Sequence, residues 1–133
     1  MPQPPVVKPA LLYFAAVFAL GFALGTLRVL WIAPRTGETV AVLAELPVML
    51  GASWLAARAL TRRYAIDRAG AALAMGAIAF ALLMGAELLL ALATGQDARA
   101  WLSGLARIPG ALGLAGQVGF ALMPVLARGR RGR

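Results

Sequence analysis

The sequence predicts an all-α integral membrane protein, a bundle of four antiparallel transmembrane helices. Three observations carry that reading. The 133 residues are 62% hydrophobic and only 14% charged, against about 25% charged in soluble domains. Mean hydropathy is +0.82. Four long apolar runs, separated by short polar breaks, fill almost the whole chain, and a helix needs roughly 20 apolar residues to cross the hydrocarbon.

The runs are taken in order. The first covers about residues 10–33 and is interrupted by Arg28. Its charge-free stretch from Pro9 to Leu27 is longer than the ~7–15 residues of a signal-peptide core, so it is read as a span. The second covers 39–60 and carries Glu45 and Arg58. The third, 69–94, carries Glu87, with Asp67 a candidate N-cap and Gly95 suited to a left-handed C-cap. The fourth covers 101–127 as one helix and carries Arg107, with Pro124 marking fraying near its end. Residues 10–127 thus form one transmembrane domain, after a disordered segment at 1–9 and before a basic cytoplasmic tail at 128–133. Short connections imply that neighbours in sequence pack against each other.

Orientation follows from the basic residues. They outnumber acidic ones 13 to 5, and all but Lys8 are Arg. Most cluster between the second and third spans (Arg58, Arg62, Arg63, Arg68) and in the tail (Arg128, Arg130, Arg131, Arg133). Positive charge marks the cytoplasmic side, so both termini and the middle connection are expected there, in a bacterial inner membrane. Trp31 and Trp101 then fall at the outer interface, and Tyr13 and Tyr64 at the inner one. The net charge of +8 reads as topology signal and contact with anionic lipid at the tail, not as a nucleic-acid surface.

The chain has no cysteine and no histidine. Thiol chemistry, disulfides and the usual ligands of zinc, copper and haem are thereby excluded, as is the usual general base. No catalytic residue, metal site or cofactor is expected, and an enzyme is the least supported class.

Small residues supply the means of packing, because lipid gives helices no hydrophobic reason to associate. Gly21 and Gly25 form a GxxxG pair. Gly70, Ala74, Ala77, Ala81 and Gly85 line a ridge in the third span, and Ala111, Ala115 and Gly119 another in the fourth. Such ridges serve the bundle itself, or a homo-oligomer or larger membrane complex.

The charges within the spans are the most specific feature. With the topology above, Arg28, Glu45, Glu87 and Arg107 form one layer roughly 9–11 Å below the outer boundary. A central charge costs about 2.5–3.5 kcal/mol on insertion scales, and two Arg–Glu pairs would relieve that cost. Pro47 follows Glu45 by two residues and Pro109 follows Arg107 by two. Each is a candidate kink, freeing the carbonyl of Leu43 or Leu105. The two hairpins read as weak repeats with the charge signs swapped. Gln117 either extends a polar path or bonds to a neighbouring helix. A pairing between Arg35 and Glu38 is expected in the outer loop, and Trp54 lies one turn from Arg58.

The stretch from Arg28 to Arg58, with Pro34, Gly37-Glu38, Glu45-Leu46-Pro47 and Ser53-Trp54, resembles uncharacterised small four-helix membrane proteins of proteobacteria. That resemblance implies no activity. The small multidrug exporters are unlike this chain, since their key Glu lies in the first span, where Arg28 stands here. Two functional classes follow: an accessory or structural subunit of a membrane complex, and a small transporter or channel subunit using an outward-facing Arg/Glu cluster.

Overall fold

A computed structural model of the chain describes residues 5–108 and 110–128. Every regular element among them is a helix. Helix α1 (Val7–Leu27) runs without interruption through a π-helical turn (Arg28–Ile32) into α2 (Ala33–Thr36). Then follow α3 (Glu38–Arg63), α4 (Ala69–Ala93), α5 (Ala98–Leu105) and α6 (Gly110–Ala127). Four stretches are long and apolar enough to cross a membrane: Val7–Thr36, Glu38–Arg63, Ala69–Ala93 and Gly110–Ala127. At most 22% of the most apolar window of each is buried inside the protein. Leu30, Leu89 and Leu126 are 72%, 69% and 68% exposed. Surface of that kind calls for lipid or protein around it.

The boundaries follow local chemistry. Helix α1 starts earlier than expected, with Lys8 and Pro9 already helical and Pro9 buried. Proline is tolerated in a first turn because its missing N–H has no helical partner there. Gly37, at φ 89°, separates α2 from α3. Helices α3 and α4 both end in a Schellman arrangement. After α3 the Ile66 amide bonds to the Thr61 carbonyl (2.8 Å) and the Ala65 amide to Arg62 (3.3 Å). Ala65 takes the left-handed position at φ 56°, and buried Ile66 supplies the apolar contact of the motif. After α4 the same bonds run from Gln96 to Ala91 and from Gly95 to Leu92, with Gly95 at φ 95°. Arg68, not Asp67, stands at the start of α4, without a capping side chain.

The expected fourth span is not one helix. Helix α5 starts on Asp97, which accepts from the Ala100 amide at 2.7 Å. It ends at Leu105, where the Ala106 and Arg107 amides turn back to Ser103 and Gly104. A residue that precedes proline is pushed out of the α region, so the helix stops short of Pro109. Pro109 itself, one of the expected kinks, lies outside the described residues. Gly110 sits so close to the Gly104 carbonyl that a side chain there would collide with it. By contrast α3 continues through Pro47 and α6 through Pro124.

Packing departs from chain order. Helix α1 lies against α3 and α4, and α6 lies against the same two. Helices α3 and α4 are joined by a short connection, yet face each other across the bundle with little direct contact. Glycines explain this. Gly76 of α4 lies under the Ala121 carbonyl of α6, leaving no room for a Cβ. On its other side α6 receives Leu46 and Leu50 of α3 against Gly116 and Gly119. Helix α6 therefore wedges between α3 and α4.

Burial is lopsided. Ala10, Tyr13, Val17, Ala57, Ile66, Ala71, Ala72, Met75, Ala79, Leu83, Phe120 and Ala127 form one core cluster. They come from the first half of α1, the end of α3, the connection after it, the first two-thirds of α4 and the second half of α6. That half is the packed base. Tyr13 is the centre of it: fully buried, its ring stacks on Phe120 at 4.4 Å, and its hydroxyl donates to the Phe120 carbonyl at 2.5 Å. Pro124 has no N–H, so it cannot bond to the carbonyl four residues back, which is that of Phe120. Tyr13 supplies the missing donor from another helix. The interface role expected for Tyr13 is thus replaced by a core role, and Pro124 is buried structure, not a frayed end.

Two predictions follow from this packing. Tyr13→Phe strands a buried carbonyl and should cost about 1–3 kcal/mol. Combined with Pro124→Ala, which returns a backbone donor, the loss should shrink, as thermal melting of the single and double variants in detergent will measure. Gly76→Ala should lower the melting temperature by many degrees through collision with Ala121. Gly85→Ala, which meets open space, should leave it unchanged or raise it slightly, since alanine favours helix by about 1 kcal/mol over glycine.

Candidate functional site

Beyond the base the helices diverge around a cavity of about 660 Å³. Val17, Ser53 and Phe120 lie at its base end, and Phe18, Gly21, Met49, Leu83, Gly113 and Leu114 are among its walls. Arg28, Glu38, Glu45, Glu87 and Gln117 supply its ionisable and amide groups. The volume lies in the range of small-molecule sites, roughly 300–1,000 Å³. Mostly apolar walls with a few convergent polar groups fit that class as well.

Arg28 is positioned by the π turn that it opens. Its carbonyl accepts from the Ala33 amide, five residues on, so the turn holds one residue more than an α-helix would. The guanidinium reaches α3 at two points. Its Nε donates to Glu45 Oε2 at 2.7 Å and its Nη1 to Glu38 Oε1 at 2.5 Å. Glu38 and Glu45 are seven residues apart, two turns of α3, and so share a face. The side chains of Arg28 and Glu45 are 24% and 18% exposed, that of Glu38 46%. Hence the bond to Glu45 is the better shielded of the two. Glu38 is bonded to Arg28, not to Arg35. Arg35 instead lies over the Trp31 ring at 4.9 Å and donates to the Trp31 carbonyl.

Glu87 enters from α4. Its Oε1 accepts from Gln117 Nε2 of α6 at 2.6 Å. No cationic side chain among the described residues lies within ion-pair distance of it. Gln117 Oε1 is buried and has no hydrogen-bond partner among the described residues. Arg107 does not join the group. It lies exposed in the break between α5 and α6, because the chain turns there instead of continuing as a helix. The expected layer of two cations and two anions is therefore three carboxylates around one guanidinium.

The small residues divide similarly. A Cβ added at Gly21 would lie 3.2 Å from Met49, one at Gly25 3.5 Å from Arg28 Nη2, and one at Gly119 2.7 Å from Leu50. Ala111 is half-buried, whereas Ala115 is exposed and packs on nothing central. Gly76 and Gly116, which make closer approaches, were not singled out by sequence spacing. On α4 Gly70, Ala77, Ala81 and Gly85 are exposed, and no atom covers Gly70 or Gly85. Arg58 lies over Trp54 at 5.2 Å, a cation–π contact at the packed end.

Comparison with protein-family models, with curated proteins and with solved structures gave no match to this chain. Its functional reading rests on its own geometry.

The pairing generates a graded prediction. Arg28→Gln leaves Glu45 half-buried without its cation, and should lower stability by about 2–4 kcal/mol. Glu38→Gln, at the more exposed partner, should cost less than about 1 kcal/mol, and Arg107→Gln should cost nothing measurable. Joining Glu45→Gln to Arg28→Gln should recover part of the loss. Melting of the purified variants in one detergent checks the ranking.

Proposed function

We propose that this chain is a small multi-pass membrane protein whose cavity binds an amphiphilic small molecule, as a transporter or channel subunit does. The single observation that carries the reading is that Glu45 and Glu87, from helices on opposite sides of the bundle, line one cavity. A purely structural role would have given Glu87 a cation of its own, as Arg28 is given to Glu45, and left no open space beside it. In the proposed setting the four long helices run antiparallel across a bacterial inner membrane. The packed base carries Arg58, Arg62, Arg63, Arg68 and Arg128, and lies on the cytoplasmic side by the positive-inside rule. The cavity then opens towards the outer face. Intramembrane ionisable groups usually face a bundle interior or water, and mark ligand or ion paths.

A second reading, an accessory subunit of a larger membrane complex, is favoured by the exposed small-residue face of α4. A partner helix could approach there closely.

The absence of native cysteine allows a direct test. Gly113→Cys and Val42→Cys place single thiols on the cavity wall, and Leu89→Cys places one on the outer face. In protein reconstituted into liposomes, a membrane-impermeant methanethiosulfonate should modify the wall positions at least about tenfold faster than Leu89→Cys, since only a hydrated thiol ionises and reacts. Equal, slow modification at all three would remove the cavity reading and leave the accessory one.

A further inference from the structure

The charges around the cavity do not balance, and the imbalance has a location. Among the described residues Arg28 is the one cation in the lining, against Glu38, Glu45 and Glu87. Its guanidinium is engaged by two of those carboxylates, through Nε and Nη1. Glu87 is left with an amide donor and, among the described residues, no ion pair of its own, Arg28 acting on it only at longer range. Beside it lies a buried acceptor, Gln117 Oε1, with nothing to accept from. A carboxylate with a single amide donor and an amide oxygen with no donor among the described residues thus stand together in a mostly apolar cavity. A carboxylate in such surroundings is stabilised by an opposite charge and destabilised by a like one. An anionic ligand would meet an occupied guanidinium and a facing carboxylate.

We infer that the cavity takes a lipophilic cation, an apolar body bearing one positive charge, with Glu87 as its counter-ion and the Gln117 carbonyl oxygen beside it. The inference rests on the cavity reading above and adds the class of ligand. Apolar walls hold the body of the ligand, while Glu87 and Gln117 hold its charge. Arg28 contributes by holding Glu38 and Glu45, so that a single carboxylate remains for the ligand.

A matched pair of probes tests the sign of the charge. Tetraphenylphosphonium and tetraphenylborate share size and shape and carry opposite charges. With wild-type protein in a neutral detergent, tetraphenylphosphonium should bind at least about tenfold tighter than tetraphenylborate, by titration calorimetry. Glu87→Gln should erase most of that ratio, by weakening the cation and strengthening the anion. Glu87→Asp should keep it. Because the readout is a ratio within each variant, a general change in stability does not imitate it, and the wild-type comparison decides even where a variant fails to fold. Equal binding of both ions, preference for the anion, binding of neither, or a ratio untouched by Glu87→Gln would each overturn the inference, the last two even where Gly113→Cys is reactive. A Glu87 that holds a proton in place of a cation would give the equal-binding result. Failure of the thiol test would instead remove the cavity reading itself.

Discussion

A proline in the last turns of α6 takes away the donor that the Phe120 carbonyl would have used, and the hydroxyl of Tyr13 in α1 replaces it. The bond joins two helices that lie across the bundle from one another, and the stacked rings of the same two residues reinforce it. An unmatched carbonyl in an apolar interior is costly enough that the two helices must stay together at this level. The packed core gathers around it, with Met75 and Ala79 of α4 and Ala57 of α3 completing the layer. Because the base is tied there, the opposite halves of the helices can diverge without the bundle coming apart. The cavity depends on that division.

The electrostatics of the cavity follow from how one guanidinium is shared. A fork of five donors can satisfy two carboxylates at once, and α3 presents Glu38 and Glu45 two turns apart on one face. Arg28 takes both. Glu87 has no ion pair of its own among the described residues and is held by the amide of Gln117, on the helix α6 that Gly76 lets close on α4. The packing of glycines and the distribution of charge are thus connected: without the close approach of α6, the α4 carboxylate would have no partner in the interior.

Much of the fold was legible in the sequence because hydropathy and punctuation dominate it. The first three long helices lie within about three residues of the limits of the first three apolar runs, and Gly95 takes the left-handed position that its place implied. The charges at 28, 45 and 87 stood out because ionisable groups are rare in apolar runs. What was not legible depends on partners distant in sequence. Three internal prolines look alike in the chain, yet the helix passes through Pro47 and Pro124 and breaks before Pro109. The break adjoins Gly104 and Gly110, whose backbones touch, whereas Pro47 stands among good helix formers and the carbonyl that Pro124 frees is answered by Tyr13. Arg107 stands within an apolar run of the sequence, and only the break before Pro109 takes it out of the interior. The π turn has no local signature in Arg28–Ile32, and the separation of α3 and α4 by α6 is decided by what each glycine at those contacts meets.

The π turn carries one residue beyond the count of a regular helix. Removing any residue between Arg28 and Ile32 would restore an ordinary α-helix with every backbone bond still available. It would also turn the body of α1 by about 100° relative to α2. Arg28 would then point along a different wall, away from Glu38 and Glu45 on α3. The number of residues in the first long helix therefore sets the angular phase between Arg28 and the two carboxylates of α3. Chains of this kind should tolerate changes of side chain along α1 far more readily than a change of length at that one turn.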